Sequence, residues 1–286
     1  MNLLPIALVV MTALSWSFSQ ILGKIVVRDM NSTIYNTLRL IIAAITFTPV
    51  VLISGLKISG TLAMLAAVID GALGMALGLL IYFYCMKRAP AHKVVPAGNA
   101  SPLWVLVLAL ILLGEPLTVI LPISLALVLV GSLLLAQRKE EKGSENWGPA
   151  VPLAMFVAVL YGLDLVLRKL AVNLGMDITS FIWLSIITAA SVLILASLAT
   201  RSWVGQRFTK KNMALVFISS MLGHIVGTIV FMWALQMETV ISLVPFASMT
   251  IPFGFLMSIL MVRERPNLKS TVGMVLVFSG VILAAL

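Results

Sequence analysis

The sequence predicts an all-α membrane protein with ten transmembrane helices in two inverted five-helix repeats. Of the 286 residues, 61% are hydrophobic and only 10% are charged, whereas about a quarter of the residues of a soluble globular protein carry charge. The apolar residues are gathered into ten runs of spanning length, and landmark residues recur at a fixed distance of 149 positions. Lipid is therefore the expected solvent for most of the surface.

The ten runs follow from the length that a helix needs to cross a bilayer, about 20 mostly apolar residues. The predicted spans are 3–24, 32–54, 62–86, 93–113, 117–136, 150–170, 179–199, 212–235, 240–262 and 268–286. Gly114-Glu115-Pro116 separates the fourth span from the fifth, and Arg263-Glu264-Arg265-Pro266 separates the ninth from the tenth. Residues 1–4 carry no basic side chain, so the first run is predicted to span the membrane and not to be a cleavable signal peptide.

The repeat is predicted from the polar segment 137–148, which has five spans before it and five after it. We place the repeats at residues 1–142 and 147–286. A shift of 149 residues pairs Glu115 with Glu264, Gly131 with Gly280, Gly74 with Gly223, Gly78 with Gly227, and Pro96 with Pro245. Because five spans end on the opposite side of the membrane from their start, the second copy is predicted to be upside down, as in many secondary transporters.

The basic residues predict the orientation. Most of them lie in the connections after spans 1, 3, 5, 7 and 9: Arg28, Lys87, Arg88, Lys93, Arg138, Lys139, Lys142, Arg201, Arg207, Lys210, Lys211, Arg263, Arg265 and Lys269. The opposite side holds Lys57 and, near a helix end, Arg168 and Lys169. By the positive-inside rule, these connections are cytoplasmic and both termini face outward from a cell membrane.

Prolines interrupt the fourth and ninth spans at similar places. Pro96 and Pro102 lie in the fourth span, and Pro245 and Pro252 lie in the ninth. A proline inside a helix removes a backbone hydrogen bond and tends to kink it, and in lipid the freed carbonyl needs a partner or a wet cavity. We therefore predict that these four prolines mark gating helices beside a central cavity.

Two other spans carry polar stripes at helical spacing. One face of the first helix carries Trp16, Ser19, Gln20 and Lys24. One face of the sixth helix carries Tyr161, Asp164 and Arg168. Polar groups in hydrocarbon cost several kcal/mol unless they are satisfied, so these faces are predicted to point into the bundle. Lys24 lies near a helix end, and an alternative is that its amine extends to the membrane interface.

Four ionisable residues lie deeper in the predicted spans, namely Arg39, Asp70, Asp164 and His224. Each is a candidate for the substrate path, since charged groups inside a membrane usually serve function. Each also has a structural alternative. Asp164 could pair with Arg168 one turn away, Arg39 could bind carbonyl groups at a helix end, and His224 could be a neutral core residue. A group that changes protonation there would make a proton the candidate coupling ion.

Glu115 and Glu264 precede the fifth and tenth spans. A carboxylate at a helix N-terminus is stabilised by unpaired backbone N–H groups and by the helix dipole. Both residues are therefore predicted to cap helices.

The sequence has no constellation typical of an enzyme. It has no phosphate-cradling loop and no zinc-type spacing, and its two histidines, His92 and His224, are far apart. No catalytic residue, metal or cofactor is therefore predicted. The net charge of +9 lies in short connections and forms no basic stripe, so nucleic acid is not an expected partner. The expected partners are a small-molecule substrate and membrane lipid, with the chain a monomer or a homodimer.

The order of several landmarks is similar to a known family. These are Leu14-Ser15-Trp16-Ser17-Phe18, Lys24, Arg39, Gly74, the run from Tyr82 to Pro90, Pro96, Pro102, Gly114-Glu115-Pro116-Leu117 and Gly131. Together they resemble an EamA-type repeat of the drug/metabolite transporter superfamily. The resemblance implies a cavity enclosed by helices 3, 4, 8 and 9 with parts of 1 and 6, and helices 5 and 10 packed outside. It also implies cytoplasmic termini, opposite to the orientation that the charges predict.

The resemblance and the residues together predict a secondary transporter that works by alternating access. The expected substrate is a small polar or zwitterionic metabolite, most simply an exported amino acid or related compound. The alternatives are an uptake transporter for a sugar, a nucleotide-sugar or a quaternary amine, and a passive channel. The predicted substrate-binding residues are Trp16, Gln20, Lys24, Arg39, Tyr82, Asn99, Tyr161, Asp164, His224 and Trp233.

Overall fold

The computed structural model describes residues 3–116, 118–136, 149–262 and 268–285, and all regular elements in these ranges are helical. The helices are α1 (Leu3–Val26), α2 (Ser32–Ser54), α3 (Thr61–Arg88), α4 (Ala91–Gly98 and Pro102–Leu113), α5 (Ile120–Ala136), α6 (Ala150–Asn173), α7 (Ile178–Ala199), α8 (Lys210–Met237), α9 (Val240–Ala247 and Thr250–Met257, continued by Ser258–Val262) and α10 (Leu268–Ala285).

The helices confirm the predicted all-α membrane fold. Within the described ranges, seven have the length and apolar composition to cross a membrane, and α5 and α10 contain shorter apolar stretches. The helix α6 has 24 residues and is long enough as well, but it carries Asp164, Arg168 and Lys169. The predicted cap at Glu264 and the polar segment 137–148 lie outside the described residues.

The helices α3 and α8 each contain a π-helical segment at an equivalent place. The segments are Asp70–Gly78 in α3 and Met221–Val226 in α8, and Gly74 and Gly223 lie 149 residues apart within them. A π-helical turn is wider than an α-helical one and is frequent at functional sites. The spacing of the paired glycines predicts that the two segments are equivalent but does not predict their π-helical geometry.

The helices α4 and α9 are broken and not merely kinked. Residues 99–101 separate the two parts of α4, and Ser248 and Met249 separate those of α9. Pro102 begins the second part of α4, where the missing N–H of proline costs nothing. The predicted interruption of both helices is thus confirmed, while the gating role of the prolines stays a prediction.

The helices α5 and α10 pack tightly against each other. A Cβ added to Gly131 of α5 would lie 2.5 Å from the Gly273 carbonyl oxygen of α10. A Cβ on Gly280 would likewise lie 2.6 Å from the carbonyl oxygen of Ser124, whose hydroxyl donates to the Gly280 carbonyl at 2.7 Å. Only glycine permits so close an approach of two helix backbones in lipid.

Two lysines form equivalent clamps in the two repeats. The Lys24 amine donates to the carbonyl oxygens of Met86 and Ala89 at the end of α3. The Lys169 amine donates to those of Leu235 and Glu238 at the end of α8, at 2.7 and 2.8 Å. The acceptors in α8 lie 149 residues after those in α3, so the three-dimensional contacts follow the sequence repeat.

Glu115 links the two repeats. Its carboxylate oxygens accept hydrogen bonds from the backbone N–H groups of Val240 at 2.9 Å and Ile241 at 3.0 Å. The predicted capping role is confirmed, but the capped helix is α9 of the second repeat and not α5. The carboxylate is buried, and it satisfies two N–H groups that have no partner within α9.

We expect Glu115→Ala to destabilise the protein by about 1–2 kcal/mol, because both N–H groups lose their acceptor. Thermal unfolding of the detergent-purified protein measures this as a lower midpoint. The exposed carboxylate of Asp29 provides the matched control, since Asp29→Ala removes the same charge without uncapping a helix. Equal melting of the two variants would show that the cap contributes nothing.

Candidate functional site

A central cavity of about 110 Å³ lies between the two repeats, at the depth of the π-helical segments and helix breaks. It is lined by residues of α1, α2, α3, α4, α6, α8 and α9, and α2 is the one addition to the helices that the family resemblance implied. The lining residues include Trp16, Ser19, Gln20, Arg39, Gly74, Phe83, Asn99, Ser101, Pro102, Tyr161, Asp164, Arg168, Gly223, His224, Thr228 and Ser248.

Arg39 provides a buried positive charge at this cavity. Its side chain lies between α1 and α8. There the Nη2 group donates to Ser19 Oγ at 2.7 Å and to the Ser219 carbonyl oxygen at 3.3 Å. The guanidinium also lies 5.2 Å from the ring centre of Tyr35 and 5.3 Å from that of Phe83, a cation–π arrangement. Its Nε and Nη1 are buried and have no acceptor within the described residues.

A cluster of two carboxylates and one guanidinium forms the acidic part of the cavity. Arg168 donates through Nε to Asp70 Oδ1 at 3.1 Å, and its Nη2 lies 2.8 Å from Asp164 Oδ2. Asp70, Asp164 and Arg168 are all buried, with 1%, 7% and 4% of their surfaces exposed. The predicted Asp164–Arg168 pair is therefore present, and Asp70 joins it from the π-helical segment of α3.

Glycines let both charged groups approach the π-helical segments. A Cβ on Gly74 would lie 2.3 Å from Asp164 Oδ1, and one on Gly223 would lie 2.6 Å from Arg39 Nη2. These equivalent glycines in α3 and α8 therefore make room for a carboxylate in one case and a guanidinium in the other. The cavity therefore has a basic pole at Arg39 and an acidic pole at Asp164.

A neutral hydrogen-bond network forms another wall. The Tyr82 hydroxyl donates to Gln20 Oε1 at 2.9 Å, and the Asn99 side-chain amide donates to the same oxygen at 3.3 Å. Asn99 lies at the break in α4, which exposes its amide to the cavity. The Trp16 indole N–H donates to the Gly223 carbonyl oxygen at 3.2 Å, an acceptor in the π-helical segment of α8.

His224 also lines the cavity from α8. It is 4% exposed, and its Nε2 has no hydrogen-bond partner within the described residues. A buried imidazole nitrogen without a partner is costly, so this side chain is available to a polar ligand.

Some predicted site residues lie elsewhere. Lys24 forms the clamp at the end of α3, and Tyr82 lies behind Gln20 without lining the cavity. Of the four prolines, only Pro102 lines it. Trp233 is 48% exposed and lines a second hollow of about 640 Å³ at the end of the bundle that holds the α6–α7 connection, so its placement as a wall of the central cavity is corrected.

Asp177 lies at this second hollow and caps α7. Partial burial works against its charge, but hydrogen bonds from the Thr179 hydroxyl and from the backbone and side chain of Ser180 outweigh it. The pKa of the Asp177 carboxyl is consequently held below its ordinary value. This hollow is separate from the central cavity, and the two share no lining residue.

Several polar residues of the site are not among the predicted substrate-binding residues. Ser19 and Ser219 hold the guanidinium, and Thr228 and Ser248 line the cavity. Ser19 lies on the polar face of α1 between Trp16 and Gln20, which is a signal in the sequence. Ser248 lies between Pro245 and Pro252, which is also a signal. Hydroxyl side chains are so common in membrane helices that Ser219 and Thr228 carry no such signal.

The fold and site together define a multi-pass membrane protein whose polar cavity is enclosed by lipid-facing helices. Residues 3–137 and 148–286 each match the model of the EamA-like transporter family. The chain belongs to this family of transporters, within the drug/metabolite superfamily, and each repeat of five helices corresponds to one match.

Two individual proteins are similar over nearly the whole chain. An uncharacterized transporter from Archaeoglobus fulgidus is 24% identical over 288 residues, which cover 99% of each chain. A crystal structure aligns with a TM-score of 0.73 at 16% identity, covering 99% of this chain and 97% of the other. The second likeness shows a shared fold.

Proposed function

We propose that this transporter carries a small zwitterionic metabolite, such as an amino acid, by alternating access. The observation that carries the proposal is the pair of opposite charges at one cavity. Arg39 presents two N–H-bearing nitrogens without an acceptor, and the Asp70–Arg168–Asp164 cluster contains one carboxylate more than its guanidinium can balance. A molecule with a carboxylate and an ammonium group matches both poles.

The carboxylate of the substrate would bind Arg39. A guanidinium holds its donors in a rigid planar fork that matches a carboxylate with two parallel hydrogen bonds. The rings of Tyr35 and Phe83 and the hydroxyl of Ser19 fix the guanidinium plane without supplying a counter-charge. Asp164 would then receive the ammonium group.

The cavity size supports a small substrate. Since one water needs roughly 10–15 Å³ measured in this way, about 110 Å³ holds a compact metabolite and a few waters. A nucleotide-sugar would require a larger space. Trp16, Tyr161 and Phe83 offer apolar surface to a side chain, while Gln20, Asn99 and His224 offer polar contacts.

The mechanism that we propose follows from the repeats. Five helices in each repeat give the two copies opposite orientations, and two opposed repeats around one site can open it to either side in turn. We propose export across the cell membrane as the direction. Counterflow from preloaded vesicles tests the alternating-access mechanism: saturable exchange supports a carrier, whereas flux that is linear in concentration would indicate a channel.

The predicted specificity can be measured with three related ligands: an amino acid, the amine that remains after its decarboxylation, and the acid that remains after its deamination. L-threonine and L-leucine should each raise the thermal unfolding midpoint of the purified protein, because both poles are engaged. Their decarboxylated amines and deaminated acids should bind at least about ten-fold more weakly, since a charge-assisted hydrogen bond contributes about 1.5–3 kcal/mol. Glucose, UDP-glucose and choline serve as competing ligands, and a larger shift with any of them would overturn the zwitterion assignment.

A further inference from the structure

The acidic cluster contains a buried oxygen that lacks a donor. Arg168 binds Asp70 through Oδ1, and Asp70 Oδ2 is buried without a hydrogen-bond partner within the described residues. One guanidinium holds both carboxyl groups, because Arg168 Nε lies 3.1 Å from Asp70 Oδ1 and Arg168 Nη2 lies 2.8 Å from Asp164 Oδ2. Two carboxylates cannot hydrogen-bond to each other unless one of them carries a proton.

The local charges also leave room for one proton. Arg168 is the only cation paired with the two aspartates in the described part of the chain, so the cluster has a net charge of −1 if both are ionised. Two carboxylates that share one site do not readily both ionise, and they commonly hold one proton between them.

In the part of the chain that the structure describes, no second cation from a neighbouring helix is paired with the two aspartates. The segment Asp70–Gly78 packs against α6 and α7, and α7 contains no titratable side chain. Apart from the cluster itself, α6 contributes Tyr161 and Lys169, and the Lys169 amine donates to the carbonyl oxygens of Leu235 and Glu238 at the end of α8. Across the cavity are Arg39 of α2, which is engaged by Ser19 and Ser219, and His224 of α8.

We propose that Asp70 and Asp164 share one proton when the cavity is empty, and that the ammonium group of the substrate displaces it. Asp164 and Arg168 line the cavity whereas Asp70 lies behind them, so the ammonium reaches Asp164 first. The carboxyl O–H bond breaks, the proton passes to water, and N–H···O hydrogen bonds to Asp164 replace it. Substrate and one proton therefore occupy the cluster alternately, which makes the carrier a proton antiporter. This inference rests on the proposed zwitterion transport.

Competition with one proton has a defined signature. Substrate affinity should rise by up to about ten-fold per pH unit while the cluster is protonated, and level off once the proton is lost, because each binding event releases the proton that the empty site holds. Asp70→Asn leaves Asp164 in a one-to-one pair with Arg168. It should abolish this pH dependence and weaken binding, with no proton released.

The first test needs no substrate. Infrared titration of the protein in nanodiscs should reveal a protonated carboxyl band at neutral pH that disappears at high pH. The band should be missing from both Asp70→Asn and Asp164→Asn and unchanged in the exposed control Asp29→Asn. Absence of the band from the wild-type protein, or its persistence in both cluster variants, would overturn the inference.

The second test separates this inference from the proposed function. L-threonine and L-leucine are added to the weakly buffered protein, and ligand binding and proton release are measured in the same sample. The measurements run from about pH 5 to about pH 9, which covers the range in which a perturbed carboxyl group titrates. Up to one proton per bound amino acid supports antiport. Binding without proton release at any pH overturns the antiport inference while leaving the zwitterion assignment intact. Absence of binding contradicts the proposed function, and the infrared result then decides alone whether the two aspartates share a proton.

Discussion

Replacing Arg39 by glutamine is expected to weaken binding of a zwitterionic substrate by about 10–100-fold, the factor that corresponds to losing a charge-assisted pair of hydrogen bonds. Arg39→Lys should lie in between, because an ammonium keeps the charge but not the planar fork. Isothermal titration with L-threonine or L-leucine measures both variants. Binding of the matched decarboxylated amine should change little, since it has no carboxylate to lose a partner.

The same substitution should not destabilise the empty protein. A buried guanidinium without a carboxylate partner carries a large desolvation cost, and glutamine removes it while retaining a hydrogen-bond donor near Ser19. We expect Arg39→Gln to unfold at or above the wild-type temperature. Arg28→Gln, at an exposed position just after α1, is the control for a lost positive charge. Wild-type affinity in a well-folded Arg39→Gln protein would exclude Arg39 as the carboxylate site.

The second large effect is expected at the α5–α10 contact. Gly131→Ala places a methyl group 2.5 Å from the Gly273 carbonyl oxygen and 2.8 Å from the Val277 backbone nitrogen, atoms that move only if the helices separate. Overpacking of this kind costs about 1–3 kcal/mol, more than the gain of about 1 kcal/mol that alanine brings to a helix. Thermal unfolding in detergent should show a clear loss of stability.

Gly254→Ala of α9 is the matched control. The added methyl group meets only the Val95 side chain there, at 3.0 and 4.0 Å, and a side chain can adjust where a backbone cannot. We expect this variant to remain within about 1 kcal/mol of the wild-type protein. If Gly131→Ala were as stable as Gly254→Ala, the close backbone approach of α5 and α10 would be wrong.

The sequence was sufficient for the helices and for their interruptions. Spanning length depends on local hydropathy, and a proline inside a helix removes a backbone hydrogen bond, so neither requires knowledge of distant contacts. Proline does not always end a helix, since Pro49 lies inside the continuous helix α2. The ionisable residues of the cavity could also be predicted, because Arg39, Asp164 and His224 are conspicuous in apolar stretches of the sequence. Their number is small enough that burial in one cavity was a natural hypothesis.

Contacts between the two repeats could not be predicted from the sequence. Nothing near Glu115 indicates that its carboxylate binds the backbone of Val240, which is 125 residues away. Lys24 likewise binds carbonyl groups, which leave no mark in a sequence. The misplacement of Trp233 is different, because helical periodicity contained the answer. It lies two residues from the buried Phe231, roughly 200° around an α-helix, and therefore faces away.

The interruptions of α3, α4, α8 and α9 have a mechanical consequence. All four occur at cavity depth, whereas the Lys24, Lys169 and Glu115 contacts fasten helix ends. The regular α-helical hydrogen-bond pattern changes at this level, where Ala100 donates to Ala97 and Ile251 donates to Ser248 across the breaks in α4 and α9. We therefore expect a change in the angle between half-helices to cost less at this level than within an uninterrupted helix. The ends of these helices are thus fixed by hydrogen bonds, and we expect hinge bending to occur at the level of the cavity.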